Sequence, residues 1–213
     1  MYRDSACLGY NTSMNIEEIR KAMKNRELLP ATHVVMIPLI EKDNTLYVLF
    51  EVRNRNISQG GEICFPGGRI EEGETPRSAL AREVREELLL EEEQIQILDP
   101  LPDIYTTRRS QVRVYTGVIR DYRDTYDPGE TEKILLIKLE DLINMKPEIH
   151  HVPMRPEFGD DFPFSLIPHG REYPFRTRTE AFYFYTLGEY TVWGLTGRIL
   201  HSFLRICGKE DYR

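Results

Sequence analysis

Three glutamates, Glu83, Glu86 and Glu87, are spaced so that a helix would bring their carboxylates to one strip of its surface. At about 100° per residue, Glu87 lies about 40° from Glu83, and Glu86 lies about 60° to the other side. Like charges at this spacing repel each other, so a compensating positive charge is expected. A divalent cation such as Mg²⁺ or Mn²⁺, which prefers hard oxygen ligands, is one candidate. The alternative is a solvated acidic face neutralised by Arg82 and Arg85.

The flanking residues predict the helix that would carry these carboxylates. Thr75 offers a capping hydroxyl and Pro76 occupies the first helical position, so a helix is expected from here through Leu88 or beyond. Apolar residues at four-residue spacing would hold this helix against a sheet: Leu80, Val84 and Leu88. The carboxylates would then lie at the edge of a core.

Hydrophobic runs on both sides of this helix predict an α/β protein. Runs at 32–40 and 45–52 flank the turn sequence Lys42-Asp43-Asn44 and predict a β-hairpin, followed by a Gly- and Pro-rich loop from Arg53 to Gly68. Further strands are predicted over 94–98, 111–120, 133–139 and 181–187. Helices are predicted over 15–25, 140–145 and 191–206. Residues 147–176 show little periodicity and predict a long surface loop, a candidate for substrate contact.

Composition excludes several classes of protein. The chain has 213 residues, 40% of them hydrophobic and 30% charged, which is typical of a globular protein and not of a disordered or collagenous one. The net charge of −7 disfavours nonspecific binding to nucleic acid or an anionic membrane. Nine acidic and three basic residues lie between Glu71 and Glu93, so most of the excess charge is there. We expect a cytoplasmic protein, since no run is long enough to cross a bilayer and the first residues lack a signal-peptide pattern.

The segment Gly68–Leu90, GRIEEGETPRSALAREVREELLL, resembles the Nudix box. That pattern is Gly, five residues, Glu, seven residues, Arg-Glu, an aliphatic residue, any residue, Glu-Glu, any residue, Gly, and an aliphatic residue. The matching positions are Gly68, Glu74, Arg82, Glu83, Val84, Glu86, Glu87 and Leu90. Leu89 departs from the pattern, because the family has Gly there.

The resemblance implies a Nudix fold, an α/β/α sandwich around a mixed β-sheet, and hydrolysis of a nucleoside diphosphate derivative. By position, Glu83, Glu86 and Glu87 would bind Mg²⁺ or Mn²⁺. Glu86 would be a catalytic residue, together with Arg82 as its orienter and Glu74 as an accessory carboxylate. The predicted organisation is an N-terminal helical extension (1–29), a Nudix domain (30–207) with a loop excursion at about 147–176, and a C-terminal tail (208–213); a homodimer is left open.

The residues before the box resemble the signature of coenzyme A (CoA) diphosphatases within the Nudix superfamily. The fit comprises Leu49, Arg53, Gly61, Phe65, Pro66, Gly67 and Gly68, and residues 161–176 and 190–204 resemble the C-terminal half of such proteins. Ile57 occupies the place of the second signature Arg, and Arg55 is the nearest substitute. The resemblance implies substrate contacts from Arg53, Arg55, Gly67 and Gly68.

Three functions therefore stay open from the sequence. The first is hydrolysis of CoA or a CoA derivative to 3′,5′-ADP and a 4′-phosphopantetheine species. The second is hydrolysis of ADP-ribose, NADH or another nucleoside diphosphate derivative. The third, from a different class, is a catalytically silent domain that senses a nucleotide. Glu180, Glu130 and Glu132 are further candidates for a general base or metal ligand, and Trp193 is expected to be a packing residue.

Overall fold

The first two strands form the predicted hairpin. In the computed structural model, which describes residues 31–101, 104–105 and 111–207, β1 (Ala31–Lys42) pairs antiparallel with β2 (Thr45–Arg53). Asp43 and Asn44 connect them, and both have positive φ. Asp and Asn tolerate this left-handed conformation better than most residues, and it matches the twist of a tight hairpin.

A seven-stranded mixed sheet is built around this hairpin. β1 pairs in parallel with β6 (Gln111–Ile119), which pairs antiparallel with β4 (Ile95–Pro100) and β5 (Ile104–Tyr105). β2 pairs antiparallel with β7 (Thr131–Lys138) and with the short β3 (Ile63–Cys64). The predicted strands at 94–98, 111–120 and 133–139 are confirmed.

The segment after β3 occupies a gap in this sheet. Paired residues of β1 and β2 run from Leu39–Val48 to Lys42–Thr45. Farther from the turn, β3 pairs with β2, and the backbone N–H groups of Met36 and Val34 donate to the carbonyls of Pro66 and Gly68 at 2.9 Å each. The residues from Phe65 to Gly68 are therefore part of the sheet and lie alongside β1.

Helices cover both faces of the seven-stranded sheet. α1 (Pro76–Leu88) packs its fully buried residues against one face, where they meet the equally buried side chains of β1 and β2: Leu80, Val84 and Leu88 against Val34, Met36 and Leu49. α2 (Leu139–Asn144) and α3 (Gly194–Cys207) pack on the other face. The expected α/β/α sandwich is confirmed.

A second sheet replaces part of the predicted loop. β8 (Glu148–Met154) pairs antiparallel with β9 (Arg178–Leu187), which pairs with β10 (Tyr190–Val192). The prediction of a loop over all of 147–176 was wrong for β8, and the last helix begins at Gly194, since 190–192 belong to β10. β8 escaped notice because six of its seven residues are exposed, so it shows no alternation of buried and exposed positions.

The predicted helix at 15–25 and the tail at 208–213 lie outside the described residues. Within the described part of the chain, no helix combines the length and the apolar character required to cross a membrane. Cys64 and Cys207 are free thiols.

Candidate active site

α1 begins with a capping box. The Thr75 hydroxyl accepts from the backbone N–H of Ser78 at 3.2 Å, and the Ser78 hydroxyl accepts from the backbone N–H of Thr75 at 2.9 Å. Pro76 takes the first helical position, where its missing N–H costs nothing. This start fixes the phase of α1, which decides where each glutamate points.

Arg82 connects the acidic residues of the box. Its Nε and Nη2 donate to the two carboxylate oxygens of Glu74 at 2.8 and 3.0 Å, a bidentate pair. Nη1 donates to Glu83 at 2.9 Å and to Glu86 at 3.3 Å. These hydrogen bonds lower the pKa of Glu74 to about 2. Arg82 thus lies between the three carboxylates and restricts their orientation.

Glu83, Glu86 and Glu87 form the acidic strip of α1, and Glu87 is its buried member. Its side chain is 6% exposed, and Oε2 accepts the backbone N–H of Gly67 at 2.8 Å. Burial, and next the charge of Glu51, raise the pKa of Glu87 well above the ordinary carboxyl range. Burial also raises the pKa of Glu83, against the lowering effect of Arg82. Glu86, by contrast, is solvent-exposed.

Glu51 is a site residue that the sequence analysis missed. It is 2% exposed, its Oε2 accepts from the Cys64 thiol at 3.7 Å, and its Oε1 is buried with no hydrogen-bond donor within bonding distance. Burial raises the pKa of Glu51 strongly, and the charge of Glu130 adds to the effect. Glu130 also raises the pKa of Glu83 and Glu87, so this candidate residue lies near the acidic strip.

The carboxylate chemistry fits a hard divalent cation, although the ligand set is not assembled. Among residues 31–101 and 111–207, no three carboxylate, imidazole or thiol groups are placed close enough together to hold a metal ion. Glu83 is turned towards Arg82 and Glu87 towards Gly67. One buried oxygen of Glu51 has no hydrogen bond, and the charge of Glu51 raises the pKa of Glu87, so an added positive charge would stabilise both carboxylates. The charge of Arg53 already lowers the pKa of Glu51 in part.

Gly67 and Gly68 belong to the segment Phe65–Gly68 that is inserted into the sheet. Neighbouring groups approach both residues so closely that a side chain would not fit. Gly67 has φ of +145°, and a Cβ there would lie 2.2 Å from the carbonyl oxygen of Val34. A Cβ on Gly68 would lie 2.4 Å from the carboxylate of Glu83. The sequence predicted substrate contacts for both glycines, and the structure gives each a packing reason as well.

The two arginines of the predicted basic loop have protein partners. Arg53 donates from Nε to the carbonyl of Ser58 at 3.1 Å, within its own loop. Arg55 pairs with Glu132 at 3.1 Å, and its side chain is 79% exposed. The backbone N–H of Asn54, between them, donates to the carbonyl of Glu130 at 2.8 Å, which places this loop beside the acidic residues.

Glu180, the third candidate carboxylate, lies on β9 and interacts with arginines. Oε1 accepts from Arg198 at 3.1 Å, and Arg178 is 3.9 Å from Oε2. These contacts join the second sheet to α3 and give Glu180 a structural role.

The family follows from a comparison with known domains. A model of the NUDIX domain matches residues 30–158. The chain belongs to the Nudix family. Nudix hydrolases act on nucleoside diphosphate derivatives and generally use divalent metal ions, so this chain is a Nudix pyrophosphohydrolase by family.

Two curated relatives match over much of the chain. Nudix hydrolase 3 of Caenorhabditis elegans is 27% identical over 185 residues, which cover 84% of this chain and 74% of the relative. Peroxisomal coenzyme A diphosphatase NUDT7 of Mus musculus is 26% identical over 131 residues, covering 60% of this chain and 55% of the relative.

Solved structures of Nudix and related proteins also align with the chain. A MutT/nudix family protein from Enterococcus faecalis aligns over 94% of this chain and 72% of its own, with 16% identity and a TM-score of 0.47. An Ap4A hydrolase from C. elegans aligns over 53% of this chain and 83% of its own, with 18% identity and a TM-score of 0.46.

Proposed function

We propose that this Nudix protein hydrolyses the diphosphate of CoA or a CoA derivative, releasing 3′,5′-ADP and a 4′-phosphopantetheine species. The observation that carries the proposal is the inserted segment Phe65–Gly68, which joins the CoA-type signature directly to the acidic strip through the hydrogen bond from Gly67 to Glu87. The similarity to the mouse protein named as a CoA diphosphatase supports the same substrate.

The residues of the acidic strip would perform separate tasks. Glu83, Glu86 and Glu87 would hold Mg²⁺ or Mn²⁺, which when bound neutralises phosphate charge and makes a bound water more acidic. Arg82 would keep Glu86 and Glu83 oriented, and Glu74 would hold Arg82 in place through its bidentate pair. Glu86 is the most exposed of the three ligands, so it is the one best placed to accept a proton from an attacking water.

A substrate comparison tests the proposal. We expect a higher kcat/KM for CoA than for ADP-ribose or NADH, measured with Mg²⁺ and with Mn²⁺ and with the products identified by mass. A preference for ADP-ribose of tenfold or more, about 1.4 kcal/mol of transition-state stabilisation, would contradict the CoA assignment and leave the Nudix chemistry standing. Absence of turnover on every diphosphate tested would favour the sensor alternative.

Arg53 and Arg55 provide a second test, because CoA carries a 3′-phosphate that arginine matches well. Replacing both with Ala is expected to reduce kcat/KM for CoA more than for dephospho-CoA. Arg55 is the more available of the two for binding a phosphate. Its ion pair with Glu132 lies on the surface, where such pairs contribute little. Equal losses on both substrates would remove the 3′-phosphate role.

A further inference from the structure

A stacked aromatic pair lies at the edge of the second sheet. The rings of Phe184, on β9, and Trp193, directly after β10, are nearly parallel at 9°, with centroids 6.0 Å apart. Trp193 is 43% exposed, whereas Val192 before it is fully buried. The expectation that Trp193 is a packing residue is therefore incomplete, because a large part of the residue is exposed to solvent.

The exposed indole faces a cavity of about 410 Å³. The aromatic residues Phe184, Tyr190 and Trp193 line it. Gly61, Glu62 and Ile63, at the end of the basic loop, line it as well. A cavity of this size, with an aromatic wall and a few polar groups, is typical of a site for part of a small molecule.

The short strand β3 connects the cavity to the buried Glu51, whose charge raises the pKa of Glu87. Ile63 lines the cavity, and Cys64, the next residue of β3, contacts Glu51. Successive side chains of a strand point to opposite faces, so one short strand separates the cavity from the carboxylates. Gly61, two residues before β3, has no atoms within 4 Å of the place a Cβ would take, so the space beside it is open.

The groups around the cavity suit an adenine ring and not a phosphate. The indole face offers a stacking surface, and the carboxylates of Glu62 and Glu189 can accept hydrogen bonds from an exocyclic amine but would repel an anion. Lys133 contacts Tyr190, with its Nζ 5.3 Å from the ring centroid and 3.5 Å from the hydroxyl oxygen. It supplies a positive charge where a phosphate on the ribose could lie.

We propose that this cavity binds the adenine base of the substrate, stacked on Trp193, with the ribose phosphate near Lys133. The inference rests on the proposed function for the identity of the nucleotide. Trp193 is then a specificity residue, remote from the bond that breaks. The pantetheine arm of CoA is the competing occupant, and the experiment separates the two.

Trp193 is the only tryptophan of the chain, so intrinsic fluorescence reports on this position directly. The full chain with Mg²⁺ is titrated separately with 5′-AMP, 3′,5′-ADP, ribose 5-phosphate and 4′-phosphopantetheine. We expect saturable quenching by the two adenine nucleotides and none by the other two. An unchanged emission at nucleotide concentrations that saturate binding in calorimetry would overturn the proposal, as would quenching by 4′-phosphopantetheine.

Kinetics of three variants complete the test. Trp193→Ala is expected to raise KM for CoA about tenfold, which corresponds to the loss of one base–aromatic stack, with little change in kcat. Trp193→Phe should retain most of the affinity. Leu195→Ala is the matched control, because Leu195 is 40% exposed in the same segment and does not line the cavity. A wild-type KM for a folded Trp193→Ala protein would overturn the proposal.

The two proposals can fail separately. Hydrolysis of CoA without any fluorescence response to nucleotides would leave the proposed function intact and remove the adenine site. Quenching by 5′-AMP in a protein that does not hydrolyse CoA would keep the adenine site and remove the CoA diphosphatase activity.

Discussion

Glu51 and Glu87 occupy positions that carboxylates rarely take, almost fully buried and close enough for the charge of Glu51 to add to the effect of burial on the pKa of Glu87. Burial disfavours a charged carboxylate, and a second negative charge disfavours it further. Without a cation, the folded protein therefore favours protonation of this pair. A bound divalent cation would reverse that preference.

Glu87→Gln tests this compensation. Without metal, the change removes a repulsive charge, so the free energy of unfolding is expected to stay the same or rise by roughly 0.3 to 1 kcal/mol. Excess Mg²⁺ or Mn²⁺ should stabilise the wild type more than the variant, since the variant lacks one of the proposed ligands. Turnover of CoA should fall by orders of magnitude. Thermal melts with EDTA and with millimolar metal, beside activity assays, measure all three effects.

Glu93→Gln is the matched control for Glu87→Gln, because it removes the same charge from an exposed position outside α1. It should leave both turnover and the metal-induced melting shift unchanged. An active Glu87→Gln protein with a wild-type melting shift would show that α1 carries only a solvated acidic face.

The buried pair also predicts how stability depends on pH in EDTA. A carboxyl group whose native pKa is raised contributes stability that is fully present below its unfolded-state value, near 4.3. That contribution is lost as the pH rises through the native pKa. The metal-free protein should therefore lose stability as the pH rises above the ordinary carboxyl range. Glu51→Gln should flatten this dependence, as measured by urea unfolding across pH; an unchanged slope would contradict the assignment.

Residue types in the box were enough to nominate carboxylates on α1, but they did not point to Glu51. A single Glu within the run TLYVLFEV looks like an outward-facing strand residue, because alternation alone does not reveal which face is covered. Its burial follows from the packing of α1 across β2 and from the insertion of β3, neither of which local sequence encodes.

At the level of elements, α1 ends in a strained residue. Leu89, where the Nudix pattern has Gly, adopts a left-handed conformation with φ of 53° and ψ of 52°. Its N–H donates to the Arg85 carbonyl, as in a helix cap of the kind that glycine favours. The departure from the pattern therefore changes the residue but not the backbone conformation.

Leu89→Gly should relieve this strain. A left-handed conformation costs a residue with a side chain about 1–2 kcal/mol. Glycine avoids this cost, but it loses more conformational entropy on folding, which offsets part of the stabilisation. Because Leu89 is 57% exposed, little packing is lost. We expect a net gain of about 0.5 kcal/mol in the free energy of unfolding, measured by urea titration. Leu89→Ala is the control, since it keeps the strain; equal effects of both changes would contradict this account.

Element prediction succeeded where the hydrophobic pattern was strong and failed where it was weak. The start of α1 was recognised from Thr75 and Pro76, and the hairpin from its turn residues. β8 was missed because it is held by backbone pairing to β9, with exposed side chains. Backbone pairing with a strand more than twenty residues away leaves no signature in a short window of sequence.

On the scale of the molecule, the two faces of the seven-stranded sheet have different tasks. The face covered by α1 carries the carboxylates, and the opposite face packs on α3 and the second sheet. Of the strands in that second sheet, β9 and β10 lie beyond the matched NUDIX segment. β3 contributes one residue to each face: Cys64 contacts Glu51, and Ile63 belongs to the core on the opposite face. A substrate bound as proposed would extend across this strand, with its base on one face and its diphosphate on the other.

The segment Phe65–Gly68 is hydrogen-bonded into the sheet as well as to the Glu87 carboxylate. Separation of this segment from β1 would expose the amide protons of Val34, Met36 and Gly67 to solvent in one event. Their exchange with deuterium should therefore follow a common opening free energy, and formation of the site and closure of the sheet would be one cooperative unit. In such a unit, residues 65–68 cannot move without opening the sheet, so a motion that admits substrate at lower cost has to come from other parts of the chain.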